Sequence, residues 1–337
     1  MSDAASLPFV TVISTGGTIA RYSDNPCDTV DYAEIGQDLD SSDLLSALPA
    51  VVRARFRVRE ITFSQKDSSH LDMSQWAALA CRIRDLLAEN PDMAGIVVTH
   101  GTTTLEEGAF FLDLVLHEDR PVVLVGAQRP ASAISADGPA NLHAALLVAA
   151  CPQARGMGVL VVADNEVHAA AAVTKAATYR LDTFRSPDFG PLGVIEGDVV
   201  HFARQPLGRR HIDSAVLGRI AHGWPRVDIC YSYSGGDGAA IAAFHAAGAR
   251  GIVVASMLPG MCAPGENDAL DAARAQGVAV VMSSQGSCGA TIPRQDLRQR
   301  GIVAAGRLRP RQARILLTLC LAMDMSMERI AEIFDIS

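Results

Sequence analysis

The sequence lacks the features that mark membrane-spanning, secreted and nucleic-acid-binding chains. No stretch approaches the roughly 20 consecutive apolar residues that a membrane helix needs. Residues Met1–Pro8 are short and polar, with no basic segment ahead of an apolar one, so we expect no signal peptide. Basic residues are not in excess, because 29 Lys and Arg face 37 Asp and Glu. Since phosphate backbones and anionic membranes favour basic surfaces, we expect neither as a partner.

Cysteines are few and scattered. There are seven, an odd number, and no two form a CxxC pair: Cys27, Cys81, Cys151, Cys230, Cys262, Cys288 and Cys320. The spacing indicates neither a zinc cage nor a disulfide framework. We therefore expect a reducing, cytoplasmic location and no metal.

The composition is that of a folded protein that can bury a hydrophobic core in each domain. Apolar residues make up 49 % of the 337 residues and charged residues 20 %, and this length favours two domains. Short runs rich in Val and Ile alternate with longer stretches of helical character, which predicts a parallel α/β sheet. The predicted strands of the first series are Phe9–Ser14, Gly95–Thr99, Val122–Val125 and Val159–Ala163, with helices at Met73–Glu89, N-capped by Asp72, and at Thr104–Leu116, N-capped by Thr103.

A second, shorter α/β series follows residues 205–225, which carry Pro, Gly and Arg and are predicted as a linker. We expect a catalytic domain over residues 1–204 and a smaller domain over residues 226–337. The predicted strands are Asp228–Tyr233, Gly251–Ala255 and Val278–Ser283, and the helices are Gly238–Ala247, Glu266–Ala275, Gln312–Met323 and Met327–Phe334.

Two strand ends carry glycine and threonine. The first strand continues into Thr15-Gly16-Gly17-Thr18-Ile19-Ala20, and the strand ending at Thr99 continues into His100-Gly101-Thr102-Thr103-Thr104. Ligands of open α/β sheets bind beyond the carboxyl ends of strands, and glycine lets the backbone approach them. The first motif is also compatible with a plain turn, although not with a dinucleotide fingerprint, because the third glycine is missing. The second is also compatible with a capping box of Thr103 and Glu106. Together they favour one shared crevice.

Lys175 stands in an Ala-rich stretch, 169–177. A lone lysine in such a stretch is more often part of a solvated surface. If it is partly buried, its pKa falls and it can serve as a base, which a threonine nucleophile requires.

Taken together, these segments resemble the bacterial-type L-asparaginase family. The two threonine motifs match its signatures in order, apart from one position. Further matching segments are 125–130 (Val-Gly-Ala-Gln-Arg-Pro), 135–142 (Ser-Ala-Asp-Gly-Pro-Ala-Asn-Leu), 173–175 (Val-Thr-Lys), 190–193 (Gly-Pro-Leu-Gly) and Leu105-Glu106-Glu107. The resemblance covers nearly the whole chain.

The resemblance implies a larger doubly wound N-terminal domain with a mostly parallel sheet, and a smaller C-terminal α/β domain. It also implies homotetramers built from intimate dimers, sites at subunit boundaries, and no metal or organic cofactor. Ammonia would be released from a small carboxamide.

The resemblance also assigns roles to single residues. Thr18 matches the nucleophile, Thr102 the second catalytic threonine and Lys175 its partner. The supporting tyrosine lies in the segment from Tyr22 to Tyr32, and we favour Tyr32. Substrate-binding positions are Gly17, Asp67, Ser68, Gly101, Thr103 and Gln128, where Ser68 matches the residue that holds the substrate carboxylate and Gln128 lines the pocket beside the leaving amide.

Three positions depart from the family pattern. Thr103 stands where the family has the aspartate that binds the substrate's α-ammonium group. Met261 or Pro259 replaces an asparagine that the neighbouring subunit supplies in the family. The family also uses an acidic residue of the neighbouring subunit, and Asp296 is the only acid in the corresponding stretch, residues 293–298. A buried ammonium needs an opposite charge or several acceptors. We therefore expect a substrate without a free α-amino group.

Three other functions fit parts of this pattern. One is an ordinary L-asparaginase with poor affinity. Another is a non-catalytic ligand-binding protein derived from the same fold, which retention of Thr18, Thr102 and Lys175 disfavours. The third is a subunit of a tRNA-dependent amidotransferase, which in this family carries an N-terminal extension that we do not find here.

Overall fold

The computed structural model describes residues 7–32 and 36–335. The chain forms two compact units that divide between Pro206 and Leu207. Among the helices of the described residues, none combines the length and apolar character needed to cross a membrane.

The first unit alternates strands and helices. Its strands are β1 (Phe9–Ser14), β2 (Arg21–Tyr22), β3 (Gln37–Asp38), β4 (Arg57–Thr62), β5 (Met93–Thr99), β6 (Val122–Val125), β7 (Val159–Ala163), β8 (Glu166–Ala169), β9 (Thr174–Lys175), β10 (Phe184–Arg185), β11 (Gly193–Glu196) and β12 (Val199–Phe202). Its helices are α1 (Ser41–Ser46), α2 (Ala50–Arg53), α3 (Met73–Glu89), α4 (Leu105–Val115) and α5 (Gly138–Ala150). Single 3-10 turns lie at Thr18–Ala20, Ser68–His70 and Pro152–Ala154.

Eight of these strands form one sheet in the order β12-β11-β8-β7-β6-β5-β1-β4. Strands β4, β1, β5, β6 and β7 run parallel, and β8, β11 and β12 pair antiparallel at one end. Val10, Val12 and Val97 face a cluster that includes α5. Ile13 and Ile96 point to the other face and are also fully buried, so both faces are covered. The predicted α/β class is therefore confirmed.

Helix α3 forms as its sequence predicts. The carboxylate of Asp72 accepts from the backbone N–H groups of Ser74 and Gln75, and the side chain of Gln75 accepts in return from the N–H of Asp72. This capping box satisfies amides that the first helical turn leaves unpaired. The buried face includes Trp76 and Ile83, and the helix packs against α4, where the ring of Trp76 contacts that of Phe111.

The start of α4 differs from the prediction. The N-cap residue is Thr104 and not Thr103, and no side-chain capping bond forms among these residues. The hydroxyl of Thr104 donates instead to the carbonyl of Ser68 at 2.8 Å. Glu106, the expected partner in a capping box, accepts from the backbone of Lys175. Both side chains therefore hold neighbouring loops and do not cap their own helix.

The second unit contains a smaller, wholly parallel sheet of β13 (Val227–Tyr231), β14 (Gly251–Ser256), β15 (Ala279–Ser284) and β16 (Val303–Ala304). Its helices are α6 (Ala239–Ala246), α7 (Pro264–Ala275), α8 (Gln295–Gln299), α9 (Pro310–Ala322) and α10 (Met327–Phe334). The segment predicted as a linker contains a 3-10 helix, Ser214–His222, and buries Ile212, Val216 and Leu217.

Candidate active site

The candidate site begins where two neighbouring strands end. β1 and β5 are parallel and adjacent, and Ser14 lies opposite Thr99 in their register. The chain therefore leaves both strands at the same edge of the sheet. The hydroxyl of Thr15 donates to the carbonyl of Thr99 at 2.9 Å and ties the two exits together. The two Gly-Thr motifs therefore lie side by side, as the sequence predicts.

Two glycines allow the loops at this edge to touch. Gly16 and Gly17 have φ angles of 95° and 87°, in the region that favours glycine. A Cβ atom on Gly17 would lie 2.2 Å from the Cα of Gly101, and one on Gly16 would lie 2.5 Å from the carbonyl oxygen of Lys66. Any side chain at Gly17 would push the two threonine loops apart. Glycine here is a packing requirement as well as a conformational one.

Thr18 starts the 3-10 turn and contacts a tyrosine. Its Oγ1 lies 2.9 Å from the hydroxyl of Tyr32, and either atom can donate. Tyr22, the other tyrosine of this segment, is exposed on β2. Of the two tyrosines that the sequence leaves open, Tyr32 is thus the one placed beside Thr18.

Thr102 and Lys175 form a second pair. The Nζ atom of Lys175 donates to Oγ1 of Thr102 at 2.8 Å. Lys175 is half-buried on the β9–β10 hairpin, and its backbone N–H donates to the buried carboxylate of Glu106 at 2.6 Å. This anchor holds the hairpin against the start of α4. Lys175 is therefore not a freely solvated surface lysine.

The loop at Asp67 and Ser68 lies against both threonine loops. Ser68 is buried, and a Cβ atom on Gly101 would lie 2.7 Å from its hydroxyl oxygen, so Ser68 directly faces the second threonine loop. The carboxylate of Asp67 accepts from the guanidinium of Arg21 at 3.0 Å. Asp67 is thus already paired with a cation.

Thr103 and Gln128 lie nearby on two strand exits. Thr103 is exposed between buried Thr102 and the start of α4, and it carries no charge. Gln128 follows β6, where the carboxylate of Asp137 accepts its backbone N–H at 2.9 Å. The Nε2 atom of Gln128 is buried and has no hydrogen-bond partner among residues 7–32 and 36–335.

A neutral histidine lies beneath this edge. His100 is fully buried, and its Nδ1 lies 2.8 Å from the carbonyl of Gly101, which requires the proton to be on Nδ1. Burial lowers the pKa of His100 from its usual 6.5 to about 4. His168 behaves alike, because burial, followed by the charge of Arg185, lowers its pKa to about 4. Both rings are uncharged at neutral pH.

The remaining predicted positions belong to the second unit. Met261 and Pro259 follow β14, and Met261 is exposed. Asp296 pairs with Arg294 at 2.9 Å, and this hydrogen bond lowers the pKa of its carboxyl to about 2. Within the described ranges, no group of three or more His, Cys, Asp or Glu is arranged to hold a metal ion.

Sequence reasoning missed the roles of two charged residues. Arg21 follows the first motif directly and pairs with Asp67, 46 residues away. Glu106 was recognised only as part of a motif, although it anchors Lys175. Glu106 and Glu107 both stand in the first turn of this helix, and no local pattern distinguishes the one that anchors Lys175. No local pattern marks Arg21 either.

Comparison with known proteins matches both parts of the chain. A profile described as "Asparaginase, N-terminal" matches residues 9–208, and one described as "Glutaminase/Asparaginase C-terminal domain" matches residues 226–334. The chain is 36 % identical to L-asparaginase 2 of Bacillus subtilis over 99 % of this chain and 88 % of that protein. It is 37 % identical to a probable periplasmic L-asparaginase of Haemophilus influenzae, with 99 % and 95 % covered.

A solved structure agrees. The probable cytoplasmic L-asparaginase of Campylobacter jejuni superposes with a TM-score of 0.90 at 35 % identity, covering 98 % of this chain and 100 % of the other. Both profiles, the full-length identities and the shared fold confirm the resemblance seen in the motifs. This chain is a member of the asparaginase family of amidohydrolases.

Proposed function

We propose that this protein hydrolyses a small carboxamide to its acid and ammonia, with Thr18 as the nucleophile. One observation carries the proposal: the pair of Thr18 with Tyr32 and the pair of Thr102 with Lys175 lie beyond the carboxyl ends of two adjacent parallel strands, β1 and β5. A threonine hydroxyl is a weak nucleophile unless a neighbouring group accepts its proton. Each hydroxyl here lies within hydrogen-bond distance of a group that can exchange a proton with it, the Tyr32 hydroxyl at 2.9 Å from Thr18 and the Lys175 amine at 2.8 Å from Thr102.

In the first half-reaction, Oγ1 of Thr18 bonds to the amide carbon. Its proton passes through the Tyr32 hydroxyl to the amide nitrogen, the C–N bond breaks and ammonia leaves. Backbone N–H groups at Gly17 or Thr102 hold the oxyanion of the intermediate. Thr18 then carries the acyl group as an ester.

In the second half-reaction, a water molecule attacks this ester. Lys175, through Thr102, accepts a proton from the water, and the proton returns to Thr18 as the acid leaves. A lysine can act in this way when it is held partly out of water next to its partner. The 2.8 Å contact between Lys175 and Thr102 supports this role.

The substrate that we propose has no free α-amino group. Thr103 is neutral, and Asp67, the one acid among the proposed substrate-binding residues, is already paired with Arg21. An ammonium group brought to Thr103 would lose water without gaining an opposite charge. A plain ω-amide of a dicarboxylic acid, or an N-acylated asparagine, avoids this cost.

An ordinary L-asparaginase activity is the second candidate, and the names of the relatives favour it. The proteins of Bacillus subtilis and Escherichia coli, at 36 % and 35 % identity, are both called L-asparaginase 2. Under this alternative, another acceptor would replace the missing carboxylate at Thr103.

We further propose a homotetramer, a dimer of dimers, that works in the cytoplasm. Exposed apolar side chains near the carboxyl edge of the smaller sheet, including Tyr231, Leu258 and Met261, favour burial against another copy. Light scattering should show a dimer or larger species, and an active monomer would contradict this assembly.

Ammonia release from matched carboxamides tests the proposed function. The panel should contain L-asparagine, L-glutamine, the ω-monoamide of succinic acid and N-acetyl-L-asparagine. We expect turnover of at least one compound, with the two that lack a free α-amino group preferred. No ammonia from any of these compounds or larger carboxamides would favour the non-catalytic alternative.

A further inference from the structure

Arg21 occupies an unusual place beside the first threonine loop. It directly follows the Thr18–Ala20 turn and begins β2, which pairs with β3 so that Arg21 lies opposite Asp38. Its side chain is only 12 % exposed. A long cationic side chain is seldom buried to this degree unless its charge is paired.

The guanidinium contacts three groups from two segments. Nη1 lies 3.4 Å from the carboxylate of Asp38 and donates to the carbonyl of Gly36 at 3.5 Å. Nη2 donates to the carboxylate of Asp67 at 3.0 Å. The planar fork of arginine can serve several acceptors at once, which the ammonium of lysine cannot do in the same geometry.

The contact between Arg21 and Gly36 connects Arg21 to Tyr32 through the backbone. The N–H of Gly36 donates to the carbonyl of Tyr32 at 2.9 Å, while the carbonyl of Gly36 accepts from Arg21. A Cβ atom on Gly36 would lie 2.4 Å from the carbonyl oxygen of Tyr32 and 3.0 Å from Cδ of Arg21. Gly36 is thus packed between the two residues.

The contact between Arg21 and Asp67 connects Arg21 to the loop that contains Ser68. Asp67 immediately precedes Ser68, whose carbonyl accepts from Thr104 and whose hydroxyl faces Gly101. The neighbouring Lys66 backbone packs against Gly16. The position of Asp67 is therefore fixed by the two threonine loops, and Arg21 holds Gly36 relative to this fixed point.

We propose that Arg21 is a positioning residue that sets the place of Tyr32 relative to Thr18. It acts by joining Gly36 and Asp38 to Asp67, and it does not touch the reacting atoms. The inference rests on the proposed function, in which the Tyr32 hydroxyl relays the proton of Thr18.

A double-mutant cycle between Arg21 and Tyr32 tests the inference with the full-length protein. On the best carboxamide, Arg21→Gln should lower kcat by about 10-fold or more with a much smaller change in KM, because placement of a catalytic group matters most in the transition state. Arg21→Lys should recover only part of the loss. In a Tyr32→Phe background, Arg21→Gln should have less than about a twofold effect, since residues that act through one another are not additive.

Arg55→Gln is the matched control, because Arg55 pairs with Asp198 at 2.7 Å, and neither residue belongs to the proposed site. This variant should retain wild-type kcat. If Arg21→Gln lowered kcat equally in both backgrounds, or not at all, the inference would be wrong.

Hydrogen exchange separates this inference from the proposed function. Amides in the peptide that contains Tyr32 should exchange faster in Arg21→Gln than in Arg55→Gln, whether or not Thr18 is the nucleophile. Unchanged exchange in Arg21→Gln would overturn the positioning role. Full activity of Thr18→Ala would instead overturn the proposed function and leave the exchange result standing.

Discussion

The larger and the smaller sheet of this chain differ in the large side chains that surround their carboxyl edges. At the edge of the larger sheet, polar residues such as Thr15, Ser68 and Thr102 are buried and hydrogen-bonded to neighbouring loops. At the edge of the smaller sheet, large apolar residues are exposed: Tyr231, Tyr233, Leu258, Met261 and Ile292. Since both edges are formed by the carboxyl ends of parallel strands, the loops beyond the strands decide which edge carries chemistry.

The largest expected effect comes from removing one hydroxyl at the larger edge. Thr18→Ala should lower kcat by about 10⁴-fold or more, because no acyl-enzyme can form. Ser234→Ala removes an exposed hydroxyl that follows β13, the first strand of the smaller sheet, and should leave kcat unchanged. Steady-state ammonia release measures both. If the two substitutions lowered kcat equally, the catalytic role could not be assigned to the edge of the larger sheet.

The next effect concerns what the larger edge recognises. Wild-type kcat/KM for the ω-monoamide of succinic acid should exceed that for L-asparagine by about 10²-fold or more, because the ammonium of asparagine would lose water beside neutral Thr103 without gaining an opposite charge. Thr103→Asp should shift the ratio toward asparagine by about 10-fold or more.

Thr103→Asn is the matched control for that substitution, since it has the shape of aspartate without its charge. It should not produce the shift. A wild-type preference for L-asparagine would mean that another acceptor replaces the missing carboxylate.

Lys175 should contribute less than Thr18. Lys175→Met removes the amine that lies 2.8 Å from Thr102 and should lower kcat by about 10²-fold, which is typical for the loss of one general acid or base. Lys175→Arg keeps the charge but not a titratable amine, so it should recover little. Wild-type kcat in Lys175→Met would show that the lysine is merely structural.

The smallest effects concern stability and again distinguish the two sheets. His100 and His168 in the first unit both have a pKa lowered to about 4 by burial, so the unfolded state binds more protons between about pH 4 and 6.5. Stability should therefore fall as the pH drops through this window, by about 3 kcal/mol for His100. Below pH 4 both states are protonated and the loss ends.

In the second unit, buried thiols give the stability the opposite dependence on pH. Burial raises the pKa of Cys230 and Cys262 to about 11 and that of Cys320 to about 12, from the usual 9. The unfolded state then loses protons first, and stability should fall as the pH rises from 9 to about 11 for Cys230 and Cys262 and to about 12 for Cys320.

The two tryptophans report on the units separately, since Trp76 lies in the first and Trp224 in the second. In Trp224→Phe, the fluorescence of Trp76 should follow acid unfolding, and His100→Gln should weaken its dependence on pH. An unchanged dependence in His100→Gln would contradict the role of the buried ring.

Much of the fold could be predicted because the buried parallel strands are continuous apolar runs. β1, β6 and β7 begin and end where their Val and Ile residues predict. β4 was missed, since Arg57, Arg59 and Glu60 interrupt the apolar pattern of this edge strand. The antiparallel strands β8, β11 and β12 were also missed, because they are short and carry mixed residues.

The site was predictable where its residues are adjacent in sequence and less so where they are not. Glycine and threonine at two strand ends are a local pattern, and they suffice to indicate one crevice. The predicted cap at Thr103 is wrong because Thr104 and Glu106 bond to other loops instead of to their own helix. Arg21 pairs with Asp67 across 46 residues, and no local pattern marks such a pair.

The central claim, that Thr18 carries the acyl group, is tested most directly by trapping the intermediate. Lys175→Met should be mixed with a carboxamide substrate, quenched in acid within milliseconds to seconds, digested and mapped by mass spectrometry. Because the lysine is proposed to assist release of the acid, the ester should accumulate. The account predicts that the mass of the acyl group is added to the peptide containing Thr18, at Thr18 itself. An adduct on Thr102, or continued ammonia release with no adduct on any residue, would contradict it.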